Sequence, residues 1–357
     1  MCQSAESESD TKLLNHGVPV TTEEFDPSLF QHLADGHCHP HDDIDLLSRI
    51  PQLQTGHITI MGVRQDDWDT VTTVAKECNK VAQNKCIPCY GIHPWFSHRL
   101  MSKEKSEISP EEHYRAILVS PKQDELDDMI EALEPPFTYM EWYGHLRLKL
   151  LDDPNALLGE VGLDKAARLL PGGIIDWHGV KPTTVQCSIE HQTKMLEIQI
   201  SLAKELNRGV SIHCVQAQGH LFNVLNIHAK KIVSKRKQKI LFNEQPPQPP
   251  IRVCLHSYGG SPATIAQFLQ LKGFTVFISF SVAINARLTP SKLADLIRAV
   301  PEDRLILESD LNTSKGLDMA MVEMARIVAE VRSWSLEKVV KTTYENWLRF
   351  VDNSSNS

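Results

Sequence analysis

The chain has 357 residues, of which 41% are hydrophobic and 23% charged, and a formal net charge of −8. That composition suits a conventional soluble core, no apolar run approaches the ~20 residues of a membrane span, and the acidic balance argues against nonspecific adhesion to nucleic acid. Eight cysteines in a chain of this length do not make a disulfide scaffold, and they suit a reducing compartment.

Residues 1 to about 30 are polar and acidic with no sustained period, and are read as a flexible N-terminal extension. The opening MCQSAESESDTK has no basic region followed by an apolar block, so a secretory signal is not expected and a cytoplasmic or nuclear location is. A single domain then spans 31–353 and alternates strand with helix. Strand-like runs near 33–39 and at 57–63, 86–92, 156–161, 209–214, 251–256, 274–280 and 304–309 number eight. Helical patterns fill 67–84, 188–207, 216–229, 261–271, 290–299, 317–333 and 335–350. Within 188–207, Ile189, Leu196, Ile200 and Ala203 form one apolar stripe, and Ser261-Pro262 is a good helix entry. Such alternation implies parallel pairing with right-handed crossovers, hence an α/β fold, a TIM-type (β/α)8 barrel.

Three stretches interrupt the rhythm, near 97–150, 165–185 and 230–250, and are read as insertions, functional or disordered. In the last, Lys230, Lys231, Lys235, Arg236, Lys237 and Lys239 are read as a solvated loop in preference to a nuclear address or phosphate-binding strip. The QPPQPP that follows reads as a stiff spacer in preference to a docking peptide. Cys86 and Cys89 form a lone CxxC inside a strand, read as structural rather than redox or zinc-binding.

Six potential metal ligands sit at the ends of separate strand-like runs: His37 and His39 in ADGHCHPHD, Glu160 in LLGEVGLD, His213 in VSIHCV, His256 in VCLHSYGG and Asp310 in LILESD. A strand has a side-chain period of two, so His37 and His39 share a face and can hold one ion together. The others should converge at the carboxyl ends of strands, where such barrels place their chemistry. Imidazole and carboxylate ligands without thiolate suit Mg²⁺, Mn²⁺ or Zn²⁺. Six exceed what one catalytic ion with an open position needs, so two divalent ions sharing Glu160 are expected. Two such ions can lower the pKa of a shared water and stabilise both oxygens of an in-line phosphoryl displacement. Asp310 would then accept the proton of that water. His93, in GIHPW, is a candidate for substrate contact, whereas His41 is left out because Pro40 should end the strand.

These blocks resemble the TatD family of metal-dependent hydrolases, within the amidohydrolase-like superfamily. The resemblance runs from about Asp35 to Phe350 through DGHCH, GIHPW, GEVGLD, VSIHC, LHSYGGSP, FTVFISFS, VPEDRLILESD and TTYENWLRF. It implies a two-metal site at His37, His39, Glu160, His213, His256 and Asp310, with DNA as the substrate of a deoxyribonuclease. The insertions look most like a fungal branch, which implies a tetratricopeptide-repeat subunit of the anaphase-promoting complex as a partner. Departures lie on the substrate side. Cys214-Val215-Gln216-Ala217 lacks the usual Arg after the His, Lys165-Ala166-Ala167 replaces Tyr-Arg after GLD, and Leu311-Asn312-Thr313 replaces Pro-Tyr after the Asp. Two other readings stand beside the nuclease: a related hydrolase of small amides or esters, and a partner-binding scaffold with weak catalysis.

Overall fold

Eight strands follow one another around the sheet in chain order, every neighbouring pair parallel. They are β1 (Ala34–Cys38), β2 (His57–Met61), β3 (Cys86–Tyr90), β4 (Leu157–Asp164), β5 (Val210–Val215), β6 (Ile251–Leu255), β7 (Phe274–Phe280) and β8 (Leu305–Leu307). The computed structural model describes residues 25–103, 108–174, 179–230 and 249–353. Most of the expected N-terminal extension and of the basic and proline-rich run at 230–250 lies outside the described residues. The strands are buried on both faces, as β3 and β4 are along their whole length, which is why they read as near-continuous apolar runs. This is the TIM-type (β/α)8 barrel.

The seam between β1 and β8 is held by loop and side-chain bonds. The Asp310 N–H donates to the His37 carbonyl (3.0 Å) and the His39 N–H to that of Leu311 (2.8 Å). Asp35 accepts from the Ser309 N–H (3.0 Å) and hydroxyl (2.5 Å). At the opposite end of the barrel the last helix, Leu336–Val351, supplies Trp347 and Phe350 to an inner cluster with Met61, Ile87, Cys254 and Phe277. The Trp347 indole N–H donates to Thr59 Oγ1 at 2.8 Å.

Chain packing begins before residue 30. Phe25 and Phe30 are buried edge to face, 4.9 Å apart, around a short 3-10 turn at Pro27–His32. The CxxC sulfurs point to opposite sides: Cys86 joins the layer between sheet and helices and Cys89 the inner cluster. One ion cannot bridge them.

The 97–150 stretch is only partly an insertion. Its last portion, Tyr139–Asp152, is the crossover helix between β3 and β4, burying Trp142, Leu146 and Leu150 at a spacing of four. Met140, Leu148 and Leu151 are exposed on the same helix, and that second apolar stripe blurs the periodicity by which a barrel helix is recognised. Helices Pro110–Ile117 and Gln123–Ala132 pack instead with the 165–185 stretch in a satellite core of Tyr114, Ile117, Met129, Ile130, Leu169 and Val185. A two-stranded antiparallel ribbon pairs Leu118–Val119 with Gln186–Cys187. Two insertions distant in sequence thus make one lobe beside the carboxyl ends of β3 and β4.

Candidate metal centre

Backbone irregularity places the first ligands. Register breaks fall between Asp35 and Cys38 in β1 and between Leu158 and Val161 in β4, the segments that carry His37 and Glu160. Such bulges re-aim side chains beside functional sites. Glu160 therefore lies mid-strand, not at the strand end expected from sequence, because β4 continues to Asp164. Two residues on, Gly162 has φ +155° and a Cβ there would collide with the His213 carbonyl, so a side chain would force β4 away from β5.

Five imidazoles surround the Glu160 carboxylate, and its two oxygens divide them. Oε2 lies 3.2 Å from His39 Nε2 and 3.4 Å from His37 Nε2. Oε1 lies 2.8 Å from His256 Nε2, 3.0 Å from His213 Nδ1 and 3.3 Å from His93 Nε2. Asp310 closes the ring, with Oδ1 3.6 Å from His39 Nε2 and Oδ2 3.7 Å from His256 Nδ1. All six residues expected as ligands are thus brought together. His41 is buried, its ring 6.4 Å from that of His39, and makes no contact with Glu160 among the interactions described.

The donor set fits a cation. His37 Nε2 and His39 Nε2 are 3.1 Å apart, a separation at which two lone pairs need a shared proton or a shared ion. Neither buried ring nitrogen of His256 makes a well-aligned hydrogen bond, although Nε2 lies 2.8 Å from Glu160 Oε1 and Nδ1 3.7 Å from Asp310 Oδ2. Donor atoms of His37, His39 and Glu160 lie within 4.8 Å of one another, as do those of His93, Glu160 and His213. His93 fits a donor better than a ligand. Its Nδ1 accepts from the Trp95 N–H at 3.1 Å, so the neutral ring carries its proton on Nε2, facing Glu160.

Electrostatics point the same way. Burial alone would raise the Glu160 carboxyl, but His93, His256 and His37 overcome it and hold the group well below its usual range. Asp310 is lowered in the same contest, where His256, His37 and His39 outweigh burial. Burial lowers His93 to about 4, leaving it neutral at pH 7. His256 is raised well above its ordinary value, burial being outweighed by Glu160. The acids are therefore held ionised in a pocket whose compensating charge a divalent ion can supply.

Residues 34–352 match the family described as TatD related DNase. The chain belongs to that family. The Cut9-interacting protein scn1 of Schizosaccharomyces pombe is 35% identical over 339 residues, covering 89% of this chain and 98% of that protein. The uncharacterized deoxyribonuclease YMR262W of Saccharomyces cerevisiae is 25% identical over 334 residues, covering 89% and 99%. In fold, YJJV, a TatD homolog from Escherichia coli, aligns at a TM-score of 0.55 and 19% identity, covering 91% of this chain and 100% of that one. The TatD relatives and the His/Glu clusters support a metal-dependent hydrolase.

Sequence reasoning missed the residues that orient this TatD site. Ser211 Oγ lies 2.8 Å from His37 Nδ1, where it can accept that nitrogen's proton when the Nε2 lone pair faces an ion. Asp164 Oδ2 sits 3.3 Å from His213 Nε2 and accepts the Trp95 indole N–H at 2.7 Å. Asp164 is held down to about 2, burial being outweighed by His213 and Trp95. Glu308, fully buried, accepts from the Ser257 N–H (2.7 Å), the Ser257 hydroxyl (2.5 Å) and the Ser279 hydroxyl. The single Ser257 hydroxyl proton goes either to Glu308 Oε1 or to Asp310 Oδ2, 2.9 Å away, so this hydroxyl links the two carboxylates. Parity was the available signal: Ser211 and His213, Glu160 and Asp164, and Glu308 and Asp310 are each an even number of residues apart.

Proposed function

We propose that this protein is a deoxyribonuclease that hydrolyses phosphodiester bonds at two divalent ions bridged by Glu160. One observation carries the reading: each Glu160 oxygen faces its own group of imidazoles, His37 and His39 on one side and His213 and His256 on the other. Bound ions supply Lewis acidity toward a phosphoryl oxygen and a lowered pKa for the attacking water. An imidazole-rich set favours Zn²⁺ or Mn²⁺ over Mg²⁺.

The chain's own residues supply orientation and proton handling. With its proton turned to Asp310, the Ser257 hydroxyl holds Oδ2 (2.9 Å) and leaves Oδ1 toward the centre to take the proton of the attacking water. The P–O bond to the leaving oxygen breaks, and the proton returns to that oxygen. Asp310 has φ +53°, a strained value for a non-glycine residue that turns its carboxylate inward. His93 keeps an Nε2–H for Glu160 or a substrate oxygen.

The names of the relatives support DNA as substrate, and that of scn1 supports a protein partner. With the resemblance noted in the sequence, we assign a tetratricopeptide-repeat protein as that partner. The described cysteines are free thiols, six of them buried, which favours the cytoplasm or nucleus. No helix among the described residues is long and apolar enough to cross a membrane.

The test is incubation with end-labelled single- and double-stranded DNA in Mg²⁺, Mn²⁺, Zn²⁺ or chelator, beside Glu160→Ala. Metal-dependent cleavage that the variant loses is expected. No cleavage by protein shown to hold metal would overturn the nuclease.

A further inference from the structure

The turn after β3 begins at His93, the imidazole of the centre that fits a donor, and three other imidazoles hold that turn in place. It is a 3-10 turn, Pro94–Arg99, with His93 as its N-terminal cap. His98 Nδ1 donates to the Trp95 carbonyl at 3.1 Å, His113 Nε2 to the His98 carbonyl at 3.0 Å and His191 Nε2 to the Ser97 carbonyl at 3.0 Å. A carbonyl only accepts, so each of these nitrogens carries its proton. The Ser97 hydroxyl adds a bond to the Pro94 carbonyl at 2.8 Å.

The three rings come from separate parts of the chain. His98 belongs to the turn itself, His191 to the helix Ile189–Leu206 that leads into β5, and His113 to the lobe helix Pro110–Ile117. Ser97, His98 and His113 are buried, and the rings of His113 and His191 meet edge to face at 5.5 Å. Burial holds His98 down to about 3, so that ring is neutral at pH 7. Carbonyls at the end of a helical turn need donors, and rigid rings from three elements also fix where the turn stands. That position matters at its other end. The Trp95 N–H donates to His93 Nδ1 at 3.1 Å, which leaves the His93 proton on Nε2, 3.3 Å from Glu160 Oε1. The turn thus sets both the tautomer and the reach of a donor that orients the Glu160 carboxylate.

We propose that His113 and His191 are positioning residues of the metal centre. Through the His98 and Ser97 carbonyls they hold the turn that keeps the His93 N–H on Glu160, so the inserted lobe is a working part of the centre. This rests on the two-ion phosphodiesterase reading above and adds a role for the lobe. A lobe that served only to bind a partner would not need a buried donor on this turn.

A double-mutant cycle tests the role. It is read first as Mn²⁺ affinity, by calorimetric titration of metal-free protein, and then as kcat and KM on end-labelled DNA, with circular dichroism checking the fold. His113→Leu removes the donor, and His113→Gln returns an N–H near the Nε2 position. His113→Leu should weaken Mn²⁺ binding about 3- to 10-fold and lower kcat similarly with KM little changed, less than the about 10- to 100-fold of a direct outer partner. His113→Gln should recover most of that loss. In a His93→Ala background His113→Leu should have no further effect, because both act through one contact. If His113→Leu does not fold, His191→Leu enters the same cycle through the Ser97 carbonyl with the same expectation. Native affinity in the folded leucine variant, no recovery by glutamine, or an equal loss with and without His93 overturns the positioning role and leaves the nuclease standing. A cycle that behaves as expected in protein that cleaves no DNA overturns the nuclease and leaves the positioning role. A native protein that binds no Mn²⁺ overturns both.

Discussion

Asp164→Asn isolates the orientation of a single imidazole. Asp164 Oδ2 faces His213 Nε2 at 3.3 Å, which places that ring's proton on Nε2 and leaves the Nδ1 lone pair 3.0 Å from Glu160 Oε1. An asparagine can retain its oxygen for the Ala166 and Ala167 N–H groups, now bonded to Oδ1 at 2.7 and 3.0 Å, so the local turn is kept. Its NH₂ would then meet both the Trp95 N–H and His213 Nε2. A donor at that position favours the other tautomer, with the proton on Nδ1, where it blocks a cation. Loss of such a supporting carboxylate costs about 10- to 100-fold in metal affinity or activity, about 1.4–2.8 kcal/mol. Calorimetric titration of metal-free protein with Zn²⁺ and Mn²⁺ reads the affinity, and circular dichroism checks the fold. If the folded variant binds both ions as the native protein does, Asp164 does not set the His213 tautomer.

Ser211→Ala removes the partner of His37 Nδ1 (2.8 Å) and should weaken metal binding by about 1 kcal/mol, a milder loss than Asp164→Asn; the same titration decides the order. Trp347→Phe leaves buried Thr59 Oγ1 without its indole donor and should cost about 1–3 kcal/mol in urea unfolding, with an unchanged midpoint counting against the bond. Burial raises the Asp67 carboxyl to about 7. A carboxyl raised on folding contributes stability that is full below its unfolded pKa and lost as pH rises through the folded value. Stability should therefore fall between about pH 4 and pH 7, by at most about 4 kcal/mol from this group, and Asp67→Asn should flatten that fall. Equal pH slopes in the two proteins would contradict it.

The barrel was legible because its strands are buried on both faces and its helices carry single stripes, so each period stands alone. The ligand positions were legible because an HxH in a strand has few structural uses. What was hidden depends on contacts across the chain. The Glu160 bulge and the Gly162 approach to β5 leave no local sequence trace beyond a glycine. The lobe joins residues of 110–132 with residues of 169–187, on either side of β4, and a contact between two separate insertions has no local signal. The Tyr139–Asp152 helix reads as insertion from sequence because Met140, Leu148 and Leu151 overlay a second stripe on the buried one. Ser211, Asp164 and Glu308 are common residues with many structural uses, and only their shared parity with ligands distinguishes them.

Anomalous diffraction from crystals of the metal-free protein soaked in Mn²⁺ tests the bridged centre most directly. The account predicts two peaks flanking Glu160, one against His37 and His39 and the other against His213 and His256, with Asp310 in contact. Saturated soaks of well-diffracting crystals that show no peak within reach of Glu160, or ions bound elsewhere, would contradict it.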